Sequence, residues 1–572
     1  MTVKRPVRVA NCSGYHGDPA YEMYRQATLG DVDFMTGDYL AGKHPGYEET
    51  AWEGLHQTIE AIAEKKIKVV INGGALDPKA LALKVQALVN EKNLNLRIAY
   101  LSGDDLYDHV GPGMPTRKAE LQHLDADNSS AVPASLTYAF LRGTADGKRI
   151  PMISAHAYLG ARGIIHGLRS GADIILCGRV ADASPDELAG SLIAGHLIEC
   201  SAYVTGGNFS GFDKYDFDDL VEPGFPIAEI NVDGTCVVTK HPGTRGLVTV
   251  DTVRCQFLYE LQGTVYLNSD VNAYIGGVVV EDVGKDRVRV SGIRSFPPPS
   301  TTKLAIFYQG GYEAEILLNA TGYATAKKWD LVEKQVRRFL PDTALKELET
   351  LDTTYLRIFV ASRSPQAVGA VGLALKSISL KHFSDFHSTL DTRTAIPRPF
   401  LAYYPSLIPQ VDLSEKIHLV NTNYTATSFP TGHPSRYAPL QPRESYDPEI
   451  STDSQSTLRE PTKRAKLGDI ALARSGDKGG NLNWILYPWE SNTYTWLRTF
   501  LTIEQIQALL GEDWREEYFI ERIEFSNIHA VHFVIYGILG RGVSSSARLD
   551  GFGKGVADWF RDIEVDVPVA LL

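Results

Sequence analysis

Within its first hundred residues the chain repeats one rhythm four times: a short apolar run, a loop of small polar residues, then a stretch with helical spacing. Val7-Arg8-Val9-Ala10 leads into Asn11-Cys12-Ser13-Gly14-Tyr15-His16-Gly17-Asp18 and a helical pattern over 19–29. Asp31 to Met35 ends in Thr36-Gly37-Asp38, and Trp52, Leu55, Ile59 and Ile62 place a helix at about 47–64. Val69-Val70-Ile71 ends in Asn72-Gly73-Gly74, and a helix over 78–91 precedes Arg97 to Leu101, which ends in Ser102-Gly103-Asp104-Asp105. Short buried strands alternating with helices predict a parallel sheet with right-handed crossovers. The pattern recurs over 151–200, with a helix at 159–170 and a strand, Ala172 to Cys177, closing in Gly178-Arg179.

After residue 205 the texture changes to shorter Tyr-, Gly- and Val-rich strands, with further strands at 303–320 and 355–361 around a helix at 329–349. Residues 440–465 are rich in Ser, Thr, Pro, Glu and Lys, the composition of a linker. Beyond them, strands at 468–473, 518–526 and 530–540 with helices at 503–511 and 553–562 give a βαββα rhythm. The expected fold is therefore α/β. A large N-terminal domain over 1–439 carries a mostly parallel sheet and an α+β subdomain from about 205. A small C-terminal α+β domain of ferredoxin-like type occupies 466–572.

A net charge of −12 argues against a nucleic-acid partner, which needs a basic face. Five scattered cysteines without a Cys-x-x-Cys pair read as reduced thiols. No stretch approaches 18 uninterrupted apolar residues and no apolar signal region opens the chain, so the expectation is a cytoplasmic protein with no membrane partner. The apolar density of the last module admits a homo-oligomer.

In a parallel sheet, ligands gather at the carboxyl ends of the strands. The loops there supply Asn11, Ser13, Asp38, Asn72, Gly73 and Asp104; capping of the next helix is the alternative use of such side chains. Gly178-Arg179-Val180-Ala181-Asp182-Ala183-Ser184 adds Arg179, suited to a carboxylate or phosphate, with Asp182 and Ser184 beside it. His156 is a candidate acid–base group. Two Gly-rich turns contribute Asn208, and Lys240 with Thr244. Arg474-Ser475-Gly476-Asp477-Lys478-Gly479-Gly480-Asn481 packs five hydrogen-bonding side chains and three glycines into eight residues, and reads as a binding loop carrying Arg474, Ser475, Asp477, Lys478 and Asn481. Neither a dinucleotide Gly-x-Gly-x-x-Gly, a Walker A loop, a Gly-x-Ser-x-Gly elbow nor a His-Glu-x-x-His pair is found.

Asn11-Cys-Ser-Gly, Thr36-Gly-Asp-Tyr-Leu, Gly178-Arg-Val-x-Asp-Ala-Ser, Thr205-Gly-Gly-Asn, Lys240-His-Pro-Gly-Thr and Leu467-Gly-Asp-Ile-Ala-x-Ala-Arg-Ser-Gly-Asp-Lys-Gly together resemble the AtuA family, named for acyclic terpene utilisation. The resemblance covers nearly the whole chain and implies a long N-terminal domain followed by a ferredoxin-fold domain. It carries over no catalytic residue. The residues themselves point to an enzyme acting on a small organic acid, carbonyl or acyl-thioester compound, a lyase, hydratase or hydrolase and not a redox enzyme. Arg179 and Lys240 would hold the substrate, while Asp38, Asp104 or Asp182 would serve in acid–base work or bind Mg²⁺; no other cofactor is evident. The alternative is a non-catalytic binding or scaffold subunit of a metabolic enzyme complex.

Overall fold

The computed structural model describes residues 5–39, 46–110, 121–127, 150–180, 189–319, 325–348, 350–354, 357–378, 381, 387–388, 392–449, 461–542 and 546–572. The repeated rhythm builds the middle of an eleven-stranded sheet. Val7–Asn11, Phe34–Gly37, Lys68–Ile71, Ile174–Leu176 and Ile98–Ser102 lie side by side in that order, all parallel. In Lys68–Ile71, Ile174–Leu176 and Ile98–Ser102 the buried Val69, Ile71, Ile174, Ile175, Leu176, Ile98 and Leu101 are those expected of strands covered on both faces. Antiparallel strands widen the sheet on both flanks, Pro226–Ile230 and Cys236–Lys240 on one side and Lys416–Val420 on the other. The chain skips one position between Lys68–Ile71 and Ile98–Ser102, then returns to fill it with Ile174–Leu176. That reversal brings the carboxyl ends of three strands together, the place where an open α/β sheet leaves a crevice.

A second sheet is organised by one nineteen-residue strand, Thr301–Asn319. Arg398–Pro409 pairs along most of it, Met152–Ala157 pairs with its first half and Arg357–Ser362 with its second. The helix expected over 329–349 is two helices, Thr325–Phe339 and Asp342–Glu347, because Pro341 cannot continue the first.

The last module is a four-stranded antiparallel sheet, in the order Ala471–Lys478, Asn481–Pro488, Ala530–Tyr536, Phe519–Phe525. Asn481–Pro488 is a strand that the βαββα reading lacks. Both faces of this sheet are buried. Trp484, Leu486, Phe533 and Ile535 pack on the module's own helices, with Trp484 stacked between Phe533 and Phe560 at 4.8 and 4.0 Å. Leu472, Ile485, Tyr487, Ile523 and Phe525 share one core with Leu192, Val238, Val253 and Phe257 of the N-terminal domain. A continuous apolar interface of this kind fixes the two domains against each other. The expected linker is also attached: Tyr446 donates its backbone N–H to the Arg522 carbonyl, and the Asp447 carboxylate accepts the backbone N–H of Ile503. Thr462–Lys466 is a strand paired with Glu564–Pro568. No described helix is long and apolar enough to cross a membrane.

Candidate functional site

A cleft of about 2260 Å³ lies between the two domains, at the carboxyl ends of the parallel strands. Asp38 follows Phe34–Gly37, Asn72 follows Lys68–Ile71 and Arg179 follows Ile174–Leu176, and all three line it. The N-cap positions of the helices that follow the first three strands are Ala20, Glu48 and Asp77, of which only Asp77 makes a side-chain cap hydrogen bond, so the loop side chains are not spent as caps. Asn72 donates its amide to Asp38 Oδ1 at 2.5 Å and accepts the backbone N–H of Tyr39 at 2.7 Å. Asn11 and Ser13 are buried behind this wall. The Asn11 amide donates to the Ser13 carbonyl, and the Ser13 hydroxyl to the carbonyls of Tyr15 and Asp38. Gly73 is a packing position: a Cβ there would stand 2.4 Å from that of Ala51.

The centre of the N-terminal wall is Tyr158, which no motif in the sequence marks. The Lys303 ammonium sits 3.9 Å from its ring centroid, and an Arg179 guanidinium nitrogen donates to its hydroxyl at 3.3 Å. The backbone fixes this cluster. Tyr158 N–H donates to the Lys303 carbonyl, and Leu159 N–H to the Arg179 carbonyl. Thr302 and Ser269 hydroxyls donate to the Tyr158 carbonyl. Burial pushes the Tyr158 phenol up, but the charges of Lys303 and Arg179 outweigh it and hold the phenol below its ordinary value. Tyr403, also on the wall, is pushed the other way by burial and by Tyr158.

Asp104 and His156 stand behind Arg179, buried and off the cleft wall. The Asp104 carboxylate accepts the Arg179 backbone N–H at 3.3 Å and lies 3.3 Å from His156 Nδ1. Gly178 permits this approach, since a Cβ there would fall 2.3 Å from Asp104 Oδ2. The pair therefore orients the Arg179 turn from below. Asp182 and Ser184 lie outside the described residues.

The C-terminal domain supplies the opposite wall. The Arg474–Asn481 stretch is not a free loop: Ala471–Lys478 and Asn481–Pro488 are paired strands joined by the two-residue turn Gly479-Gly480. Gly479 takes a φ of +66°, and a Cβ there would come within 3.9 Å of the Tyr403 ring, so the turn faces the Tyr158 centre. Asn481 donates to Asp125 Oδ2 at 2.9 Å across the domain boundary. Lys478 pairs with Glu260 at 3.0 Å, again between domains. Glu260 adopts a φ of +60°, rare for a side chain with a Cβ, and its N–H donates to Asn483 Oδ1. Burial raises the Glu260 carboxyl, but Lys478 and Lys554 dominate and bring it down to about 2. Asp477, on the same wall, is pushed up to about 6 by burial and by the Glu260 charge.

The sign of that last shift gives a measurable expectation. A carboxyl whose value rises on folding stabilises the fold at low pH and loses that contribution as pH climbs from its ordinary 3.8 to about 6. Asp477→Asn removes the penalty. Its melting temperature should match the native one in acid, exceed it by a margin that opens through this window, and keep that margin above it.

Lys240 and Thr244 do not line the cleft. The Lys240 ammonium donates to the Thr244 carbonyl at 2.7 Å and lies 3.4 Å from Asp286, while the Thr244 hydroxyl donates to the His241 carbonyl; together they brace a turn. Ser475 is buried, and its hydroxyl accepts the N–H of Ala557 at the start of the helix Val556–Asp562. Arg474 and Asn208 line a smaller hollow nearby. Among the described residues, no group of three or more His, Cys, Asp or Glu side chains is placed to hold a metal ion.

The sequence model of the family described as Acyclic terpene utilisation family protein AtuA matches residues 7–419, and that of the AtuA ferredoxin-like domain matches 465–566. The chain belongs to the AtuA family. No curated protein and no solved structure matches it. In this AtuA-family chain the two matched regions supply the two facing walls of the cleft, and Ala438 to Glu444 between them also line it. Tyr158, Lys303, Tyr403 and Glu260 escape a reading by loop motifs because three of them sit in or beside strands; the one signal they leave is the density of Tyr and Lys in otherwise apolar runs.

Proposed function

We propose that the chain is an enzyme of acyclic terpene utilisation that moves a proton on a carbonyl or acyl compound, as a lyase or hydratase does. The observation that carries this reading is the Tyr158 phenol held between Lys303 and Arg179 at the carboxyl ends of the parallel strands. A phenol with lowered proton affinity, within reach of a substrate oxygen, exchanges its proton near neutral pH more readily than an ordinary tyrosine. Arg179 and Lys303 place positive charge where a carbonyl oxygen becomes negative, which stabilises the enolate-like state. Asp38, which accepts a hydrogen bond from the Asn72 amide on the same wall, offers a carboxylate to take or return the second proton.

Proton exchange can be followed whatever the complete reaction is. Native protein in D₂O is incubated with a panel of short branched carboxylic acids, hydroxy acids and acyl thioesters, and deuterium incorporation or product formation is read by mass spectrometry. At least one acyl compound should exchange or turn over. Arg179→Ala, folded by circular dichroism, should slow that signal by about 100-fold or more. An unchanged rate in that variant, or a native protein inert towards the whole panel that binds a partner enzyme instead, would overturn the proposal in favour of a binding subunit.

A further inference from the structure

Apart from the cleft, a hollow of about 500 Å³ opens between the domains beside the Gly206-Gly207-Asn208 turn. Arg474 lines it and is 4% exposed. Its guanidinium is sandwiched between the Tyr203 and Tyr259 rings, at 4.3 and 4.6 Å from their centroids. One nitrogen donates to the Asn208 carbonyl. Nε and the second terminal nitrogen have no hydrogen-bond partner among the described residues. The only carboxylate among the described residues of the hollow, Asp558, is largely exposed and pairs with Arg561 at 2.8 Å. Lys554, on the same wall, spends its ammonium on the Tyr259 hydroxyl and adds a second positive charge.

A buried guanidinium without a carboxylate is costly, and aromatic stacking offsets only part of that cost. The unpartnered Nε and terminal nitrogen form the side-on edge with which arginine grips a carboxylate through two parallel hydrogen bonds. Phe209, Phe212, Phe217, Leu220 and Val221 form an apolar side of the hollow, and Ser210 and Ser475 also line it. Phe217 is 62% and Val221 78% exposed, so this apolar mouth has no described cover. We propose that the hollow is a binding site for an amphipathic monocarboxylate, its carboxylate on Arg474 and its short apolar chain along Phe209, Phe212, Phe217 and Leu220. Arg179 lines the cleft and not the hollow, while Tyr203 and Tyr259 separate Arg474 from the cleft that they also line.

Hexanoate and hexanol are the probes, titrated into the full chain by calorimetry. Hexanoate should bind one to one, and hexanol about tenfold more weakly or worse. Leu220→Glu sets a like charge at the mouth and should weaken hexanoate by about fivefold or more, as should Arg474→Gln if that variant folds. Arg179→Ala should leave the hexanoate affinity as it is. The proposal is overturned if hexanoate does not saturate, if hexanol binds equally well, or if binding survives Leu220→Glu but is lost with Arg179→Ala.

Discussion

Tyr158→Phe is expected to lower turnover by about 10²–10⁴-fold, the range spanned by a positioned proton-transfer group, with little change in melting temperature. The ring stays in place because its position is set by backbone hydrogen bonds to Lys303 and Arg179 and by the stack under the Lys303 ammonium. Only the hydroxyl is lost, and with it its hydrogen bonds with Arg179 and Lys303. A second variant separates proton transfer from simple crowding. Lys303→Met removes the larger of the two charges that lower the phenol, leaving burial to push it up. The step in the pH–rate profile that belongs to Tyr158 should then move to higher pH, whether the phenol donates or accepts the proton. A profile unmoved by Lys303→Met, together with a fully active Tyr158→Phe, would remove Tyr158 from the chemistry.

The second large effect is on stability. Arg522 is fully buried beneath the C-terminal sheet. Its guanidinium donates to the carbonyls of Leu501, Tyr446 and Arg498 at 2.7 to 2.8 Å and to Glu524 at 2.9 Å. Arg522→Met leaves three carbonyls without this donor, although Glu524 keeps Arg498 at 2.7 Å. Breaking a buried pair by removing one partner costs about 3–5 kcal/mol. The urea midpoint should fall accordingly, and Arg522→Lys should recover little, since an ammonium cannot span the same fork of acceptors. A midpoint within experimental error of the native one would mean that the network contributes nothing net.

The parallel core was legible because each strand is a short apolar run followed by a polar loop and an amphipathic helix; the helix expected over 78–91 is Pro78–Glu91. Asp38, Asn72 and Arg179 were legible for the same reason, since strand ends in such a sheet converge by topology. Lys303 was not. Its place beside Tyr158 depends on the antiparallel pairing of Met152–Ala157 with Thr301–Asn319, a long-range register that local pattern does not encode. The Arg474–Asn481 run reads as a loop by composition, yet Ala471–Lys478 and Asn481–Pro488 are paired strands, with only Gly479-Gly480 as the turn between them. Lys240 and Thr244 misled in the other direction, because a Gly-rich turn with a lysine looks the same whether it faces a ligand or its own carbonyls.

The two-sided burial of the C-terminal sheet has a consequence for inheritance. A module with one wet face can be copied between genes and still dissolve. This one, cut free, would bare Leu472, Ile485, Tyr487, Ile523 and Phe525 to water, and its former neighbour would bare the matching half. Neither half is a portable part. Separation therefore costs each half its covered apolar surface as well as its share of the cleft.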